Sequence, residues 1–217
     1  MRKNNLRLFL KQAYCRLYQC FGPQHWWPGE TQIEIMVGAV LTQNTNWRNV
    51  ESAILQLKQD QQLSFRKLID ISPEKLAELI KPSGFFRLKA QRLKNLLHFI
   101  EREYQGQFKK MQAQPLGDLR NQLLTVKGIG LETADSILLY AFGKPTFVID
   151  AYTRRFMSRH QMVPADIAYA PLQKIFLSHL NPDVQTFNEY HALIVQLGKS
   201  YCRSKPLCEG CPLAPML

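Results

Sequence analysis

Apolar residues recur at helical spacing along almost the whole chain, and no segment sustains a two-residue alternation. Leu6, Leu8, Leu10, Ala13, Tyr14 and Leu17 predict a helix over residues 2–18. Gly22, Pro23, Pro28 and Gly29 interrupt the pattern, so residues 21–30 read as a loop. Residues 31–42 are apolar nearly all round, as a buried helix is. Thr45 or Asn46 is placed to cap the next helix, which carries Val50, Ile54 and Leu57. Ser72-Pro73-Glu74-Lys75 opens another, with proline at the first helical position, and Lys81-Pro82-Ser83-Gly84 closes it. Residues 86–104 form a long amphipathic stretch, and shorter helices are predicted over 116–126, 131–142, 151–157, 172–180 and 188–199. Only residues 145–149, Pro-Thr-Phe-Val-Ile, read as extended. The pattern is that of an all-α chain.

Length and composition narrow the setting. The chain has 217 residues. That is enough for one or two domains whose cores need no disulfide staples. No flexible linker is visible, so two domains would share a close interface. The longest apolar stretches, such as residues 33–41, fall far short of the ~20 that a bilayer span requires. The first residues carry positive charge without a long apolar run or a cleavage site, so a secretory signal is not expected. A membrane partner and export are therefore excluded at this stage, and a cytoplasmic, nucleoid-associated protein is expected. Lys and Arg number 28 against 17 Asp and Glu, a net charge of +11 with a pI near 9.6. Such a balance points to a polyanion, with nucleic acid the first choice and a soluble enzyme with a basic surface the other reading. The five cysteines are an odd number, and three stand in the last sixteen residues. They suit a reducing compartment and a local metal-type cluster better than a disulfide framework.

The chemistry-bearing residues begin at Leu124-Thr-Val-Lys-Gly-Ile-Gly-Leu-Glu-Thr-Ala134. Gly128 and Gly130 stand two apart between two predicted helices. Their amides, with the start of the second helix and Lys127, would suit a phosphate. An ordinary helix-helix turn would account for the two glycines and the lysine equally well. Twenty residues beyond Gly130, the apolar run Phe147-Val148-Ile149 ends in Asp150. The order of these features, with Val37-Gly-Ala-Val-Leu-Thr-Gln-Asn-Thr45 and Lys81-Pro-Ser-Gly-Phe-Phe-Arg-Leu-Lys-Ala90, resembles the helix-hairpin-helix DNA glycosylases, the relatives of endonuclease III.

The resemblance covers nearly the whole chain and implies a two-domain, all-α endonuclease III-like fold. Residues 29–133 would form a helical barrel domain with the helix-hairpin-helix at about 117–142. Residues 1–28 with 134–217 would form the second domain, ending in a Cys-rich loop. The implied partner is duplex DNA holding a damaged base, bound by a monomer. Lys127, Gly128 and Gly130 would grip phosphates. Gln43 would fill the gap left by a flipped base, or would be only a polar helix end. Asp150 would stabilise positive charge on the sugar while also capping the following helix. In members that cut the strand, a lysine stands where this chain has Glu132. A carboxylate cannot form an imine, so the expectation is a monofunctional glycosylase, with Glu132 either positioning water or only favouring a helix start. Two other readings stay open: a bifunctional glycosylase and lyase for pyrimidines, and a non-catalytic DNA-binding protein.

Trp26-Trp27-Pro28 and Trp47 flank the buried helix of residues 31–42. With the Thr-Gln-Asn-Thr segment and the Gly-Ile-Gly-Leu-Glu hairpin they look like the 3-methyladenine DNA glycosylase branch. That likeness implies a pocket of Trp26, Trp27, Pro28 and Trp47 for an alkylated purine such as 3-methyladenine, whose positive charge suits indole faces. Cys202, Cys208 and Cys211, followed by Pro212, resemble the family's [4Fe–4S] loop with its first gap one residue short. The fourth ligand position falls on Leu217. Cys15, Cys20 or a solvent ligand would have to complete the set; zinc or no metal at all are the competing outcomes.

Overall fold

The computed structural model describes residues 3–216; Met1, Arg2 and Leu217, the last of which the cluster spacing pointed to, lie outside them. Among the described residues there are twelve α-helices and no strand. In chain order they are α1 (Lys3–Phe21), α2 (Gln32–Leu41), α3 (Trp47–Gln59), α4 (Phe65–Asp70), α5 (Pro73–Leu79) and α6 (Phe86–Tyr104). There follow α7 (Phe108–Ala113), α8 (Leu116–Leu124), α9 (Leu131–Ser136), α10 (Ala151–Arg159), α11 (Tyr169–His179) and α12 (Val184–Ser200). The chain divides into two compact units, one of residues 27–144 and one of residues 1–26 with 145–217. The return crossing falls at Pro145 and not at the expected 134, because α9 runs straight on through residues 137–141 and these pack on α2.

In the unit of residues 27–144 the buried helix is α2. Met36, Val37, Val40 and Leu41 are almost wholly excluded from solvent, and the helix packs on α3, α6 and α9. Thr31 caps its start by accepting from the Glu34 amide at 3.2 Å. Of the two candidate caps for α3, Asn46 takes the place, accepting from the Asn49 amide at 3.1 Å. Ser72 caps α5 with Pro73 at the first helical position. Residues 137–141 widen into a π-turn, a form that often accompanies functional sites. Arg120 on α8 and Asp135 on α9 pair through two bonds of 2.8 and 3.0 Å, with Asp135 fully buried. This fork-to-carboxylate bridge ties the two helices of the hairpin together.

Lys89 and Lys94, both on α6, turn inward to close the ends of other helices. Lys94 donates to the carbonyls of Leu68, Ile69 and Ile71 at the end of α4. Lys89 donates to Leu41 O at 2.8 Å and to Ser83 O at 2.6 Å. Burial, helped by Arg92, lowers the Lys89 pKa to about 8. An unfolded lysine titrates near ~10.4. Between those values the unfolded chain holds a proton that the folded chain has released, so this group makes stability rise with pH from about 8 upward. Chemical denaturation at stepped pH should show that slope in the wild type and a flatter one in Lys89→Met. An unchanged slope would place the titration elsewhere.

In the other unit α1 packs on α11 and α12, and α10 packs on α12. Its core is aromatic. Phe147 stacks on Phe176 with centroids 4.0 Å apart, and Phe187 and Tyr190 meet the Phe147 ring edge-on. Residues 145–149, expected to be extended, lie in neither helix nor strand. Gln173 serves them instead, donating to Phe147 O at 2.8 Å and Thr146 Oγ1 at 3.2 Å.

Candidate active site

The hairpin turn between α8 and α9 requires Gly128 and leaves Gly130 free. Gly128 has φ +98°, and a Cβ there would stand 2.4 Å from Arg92 Cγ. Both the backbone and the space exclude a side chain. Gly130 has φ −93°, and nothing lies within 4 Å of where its Cβ would be. Open space in front of Gly130, at the start of α9, is what a group approaching the backbone from outside would need. Lys127 is exposed, and its carbonyl accepts from Asn95 Nδ2 at 2.9 Å.

Gln43, just past the end of α2, is held against this turn. Its Nε2 donates to Gly128 O at 3.0 Å and to Thr133 Oγ1 at 2.9 Å, while Arg92 Nη1 donates to its Oε1. The amide is thus occupied at both ends. Arg92 supports the turn twice, through Gln43 and by packing beneath Gly128. Glu132 is exposed in the first turn of α9, where an acid suits the helix dipole.

Of the expected pocket residues, Trp27 and Trp47 meet edge to face, centroids 5.0 Å apart. Tyr140, from the π-turn, joins them with its ring 4.9 Å from Trp27. The Trp27 ring also lies over Gly38, where a Cβ would come within 3.1 Å of it. Trp26 belongs to the other unit, where the Lys199 ammonium sits 5.9 Å from its ring centre. Pro28 is exposed.

Asp150 caps α10 and does so as a carboxylate. Its Oδ1 accepts from the Thr153 amide at 2.7 Å and from the Thr153 hydroxyl at 2.8 Å. Its Oδ2 lies 3.6 Å from His191 Nε2 on α12. Burial raises its pKa, but the His191 and Thr153 contacts outweigh that and hold it below the ordinary carboxylate value. The group therefore stays ionised through the neutral range, its charge kept in place by neighbours within its own unit.

Cys202, Cys208 and Cys211 border one small cavity with Arg159 and His160. All five cysteines are free thiols, and neither Cys15 nor Cys20, both exposed on α1, borders that cavity. Among the described residues no three Cys, His, Asp or Glu side chains converge on a single ion.

Arg92, Tyr140 and His191, which contact these groups, escape sequence reasoning, and the exposed Phe85 stands out as well. Phe85 leads into α6 with φ +47°, and 67% of its surface is exposed. An aromatic ring held in solvent on a left-handed backbone is costly and demands a reason. The signal for it was present, since Gly84-Phe85-Phe86 breaks the amphipathic pattern at a helix start.

Comparison with known proteins supplies the frame. The profile of the HhH-GPD superfamily base excision DNA repair proteins matches residues 37–182. A provisionally named DNA repair glycosylase of Methanocaldococcus jannaschii is 45% identical over 215 residues, 98% of this chain and 97% of that one. Endonuclease III of Thermotoga maritima is 28% identical over 82% of this chain and 78% of its own. Among solved structures, the Helicobacter pylori 3-methyladenine DNA glycosylase bound to 1,N6-ethenoadenine superposes with a TM-score of 0.76 at 29% identity, covering 92% of this chain and 98% of that one. An endonuclease III–DNA complex shares the fold, with a TM-score of 0.82 at 21% identity over all of this chain and 95% of that one. The chain belongs to the HhH-GPD superfamily of base excision DNA repair proteins and is a DNA glycosylase of that group.

Proposed function

We propose that the protein is a monofunctional glycosylase that releases alkylated purines, such as 3-methyladenine, from duplex DNA. The observation that carries the substrate is the aromatic cluster of Trp27, Trp47 and Tyr140. Indole and phenol faces attract a flat, positively charged base, and each is worth about 1–3 kcal/mol of stacking. The likeness to a 3-methyladenine glycosylase at 29% identity supports the same reading.

The chemistry follows from the groups described. DNA phosphates meet the open backbone at Gly130 and the Lys127 ammonium, which fixes the protein on the duplex without reading sequence. Phe85 enters the stack as an apolar wedge, at the cost of unstacking one step. The damaged nucleotide rotates out. Gln43 fills the space left behind by exchanging its bonds to Gly128, Thr133 and Arg92 for bonds to the widowed base. Asp150 stabilises the positive charge that builds on the sugar as the N-glycosidic bond breaks, and water completes the release. Alkylated purines carry charge already and leave with little help, so a general acid at the base is not needed. Glu132 stands where an imine-forming lysine would be, and Lys89 and Lys94 are both engaged by backbone carbonyls. The matching hairpin position then offers no amine for strand cleavage. Cys202, Cys208 and Cys211 would hold an iron–sulfur cluster whose part is structural, ordering the C-terminal loop.

A screen of base release from methylated, oxidised and deaminated duplexes tests the substrate. Methylated purines should be released and thymine from G·T pairs left in place; the reverse result rejects the alkylpurine reading. Trp47→Ala should slow release of 3-methyladenine about 10-fold or more while thermal stability shifts little, because Trp47 is only half-buried. Borohydride should trap no covalent complex on abasic DNA, and a trapped adduct would show lyase chemistry. Lys127→Ala should reduce the salt slope of DNA binding by about one unit.

A further inference from the structure

The three cysteines leave a cluster one protein ligand short, and the structure contains a group that fits the place. His160 ends α10 and is 8% exposed. Its Nδ1 lies 2.9 Å from Phe156 O. A carbonyl only accepts, so Nδ1 carries a hydrogen, and in the neutral ring Nε2 then carries the lone pair. That Nε2 is buried and has no hydrogen-bond partner among the described residues. A buried acceptor without a partner costs about 1–3 kcal/mol, so its persistence needs an explanation. The ring is held between Phe9 and Phe156, centroids 5.6 and 5.2 Å away, so it is not free to turn toward water. His160 borders the same cavity as Cys202, Cys208 and Cys211.

The surroundings match what a metal-bound histidine requires. A ring nitrogen that binds metal has its opposite N–H fixed by a carbonyl or carboxylate, as Phe156 O does here. The last turns of α10 also fasten the loop that bears the cysteines. Arg155 Nε donates to Cys202 O at 2.6 Å, and Arg159 donates to Arg203 O at 2.6 Å and Ser204 O at 2.8 Å. Arg159 Nη1 also stands 3.3 Å from Cys202 Sγ, a cation beside a prospective thiolate. A cube of iron and sulfide has width, and its ligands stand apart around a cavity.

We propose that His160 Nε2 is the fourth protein ligand of a Cys3His [4Fe–4S] cluster held by Cys202, Cys208 and Cys211. On ligation the three thiols each lose a proton, and the neutral form of the His160 ring donates its Nε2 lone pair.

The test uses the full chain, loaded anaerobically with equal ferric and ferrous iron, sulfide and a free thiol, and the cluster is then reduced for spectroscopy. Iron and acid-labile sulfide should bind in equal amounts, and the reduced cluster should show nitrogen hyperfine coupling by pulsed EPR. His160→Cys should keep the iron and sulfide, lose the nitrogen coupling and lower the reduction potential, since imidazole in place of thiolate raises it. Cys208→Ser should lose the cluster while far-UV circular dichroism stays that of a folded helical protein. A cluster without nitrogen coupling in the wild type overturns the assignment. So does a single ion bound without sulfide, or folded wild-type protein that takes up no iron.

Discussion

Asp150→Asn should lower the rate of base release by 10²-fold or more while leaving the protein folded and able to bind abasic DNA. The magnitude is that of a preorganised charge removed from a site where charge develops. Asparagine keeps the acceptor that caps α10, so the bonds from the Thr153 amide and hydroxyl survive. What disappears is the negative charge. Single-turnover release on methylated duplex, measured beside thermal melting, separates the two effects. A small rate loss with normal melting would remove Asp150 from the chemistry. The pH profile follows from the same geometry. A carboxyl held below its ordinary value contributes fully above about pH 4 and is lost only as pH falls through its lowered pKa. No acid limb from this group should therefore appear in the neutral range.

The second large effect separates two glycines that look alike in sequence. Gly128→Ala should destabilise the unit of residues 27–144 by about 3 kcal/mol. A left-handed backbone costs a side chain roughly 1–2 kcal/mol, and displacing Arg92 adds on the order of 1–3 kcal/mol. Because Arg92 and Gly128 O both hold Gln43, the loss should reach DNA binding as well. Gly130→Ala should leave melting unchanged, since its φ is ordinary and its surroundings are open. It should still weaken binding to duplexes of any sequence by obstructing the approach of a phosphate. Equal melting losses in both variants would contradict the structure. Normal binding by Gly130→Ala would remove the hairpin from the interface.

Much of this was legible in the residue pattern, and what was not has physical reasons. The long helices α2, α3 and α6 announce themselves because their buried faces repeat over several turns. The six-residue helices α4 and α7 were missed because they have fewer than two turns in which to show a period. Only Phe65 and Leu68 of α4, and Met111 of α7, reach the core. α12 begins four residues earlier than expected, at a cap supplied by Asp183. Gly128, Asp150 and Gln43 stand out in the sequence because chemistry or backbone geometry restricts them, and the structure holds Gln43 against the Gly128 turn. The contacts of Arg92, Tyr140 and His160 do not show there, because they arise only when another element brings its own groups to meet them. The two adjacent tryptophans show the same limit. Nothing in Trp26-Trp27 reveals that the chain passes from one unit to the other between them.

That passage has a consequence during synthesis. Residues 27–144 form one unbroken stretch, while the other unit is assembled from the first 26 residues and the last 73. A ribosome that delivers the chain from the N-terminus releases α1 before the inserted unit, with Phe9, Leu10, Ala13 and Leu17 on its apolar face. The helices that bury this face, α11 and α12, arrive only after the whole inserted unit has been made. The inserted unit can fold as it emerges; α1 must wait with its greasy side uncovered. Translation stalled shortly after residue 144 should yield a protease-resistant 27–144 fragment preceded by a cleavable α1. The growing chain should also depend on a ribosome-bound chaperone while α1 waits, and no longer once α12 has been made.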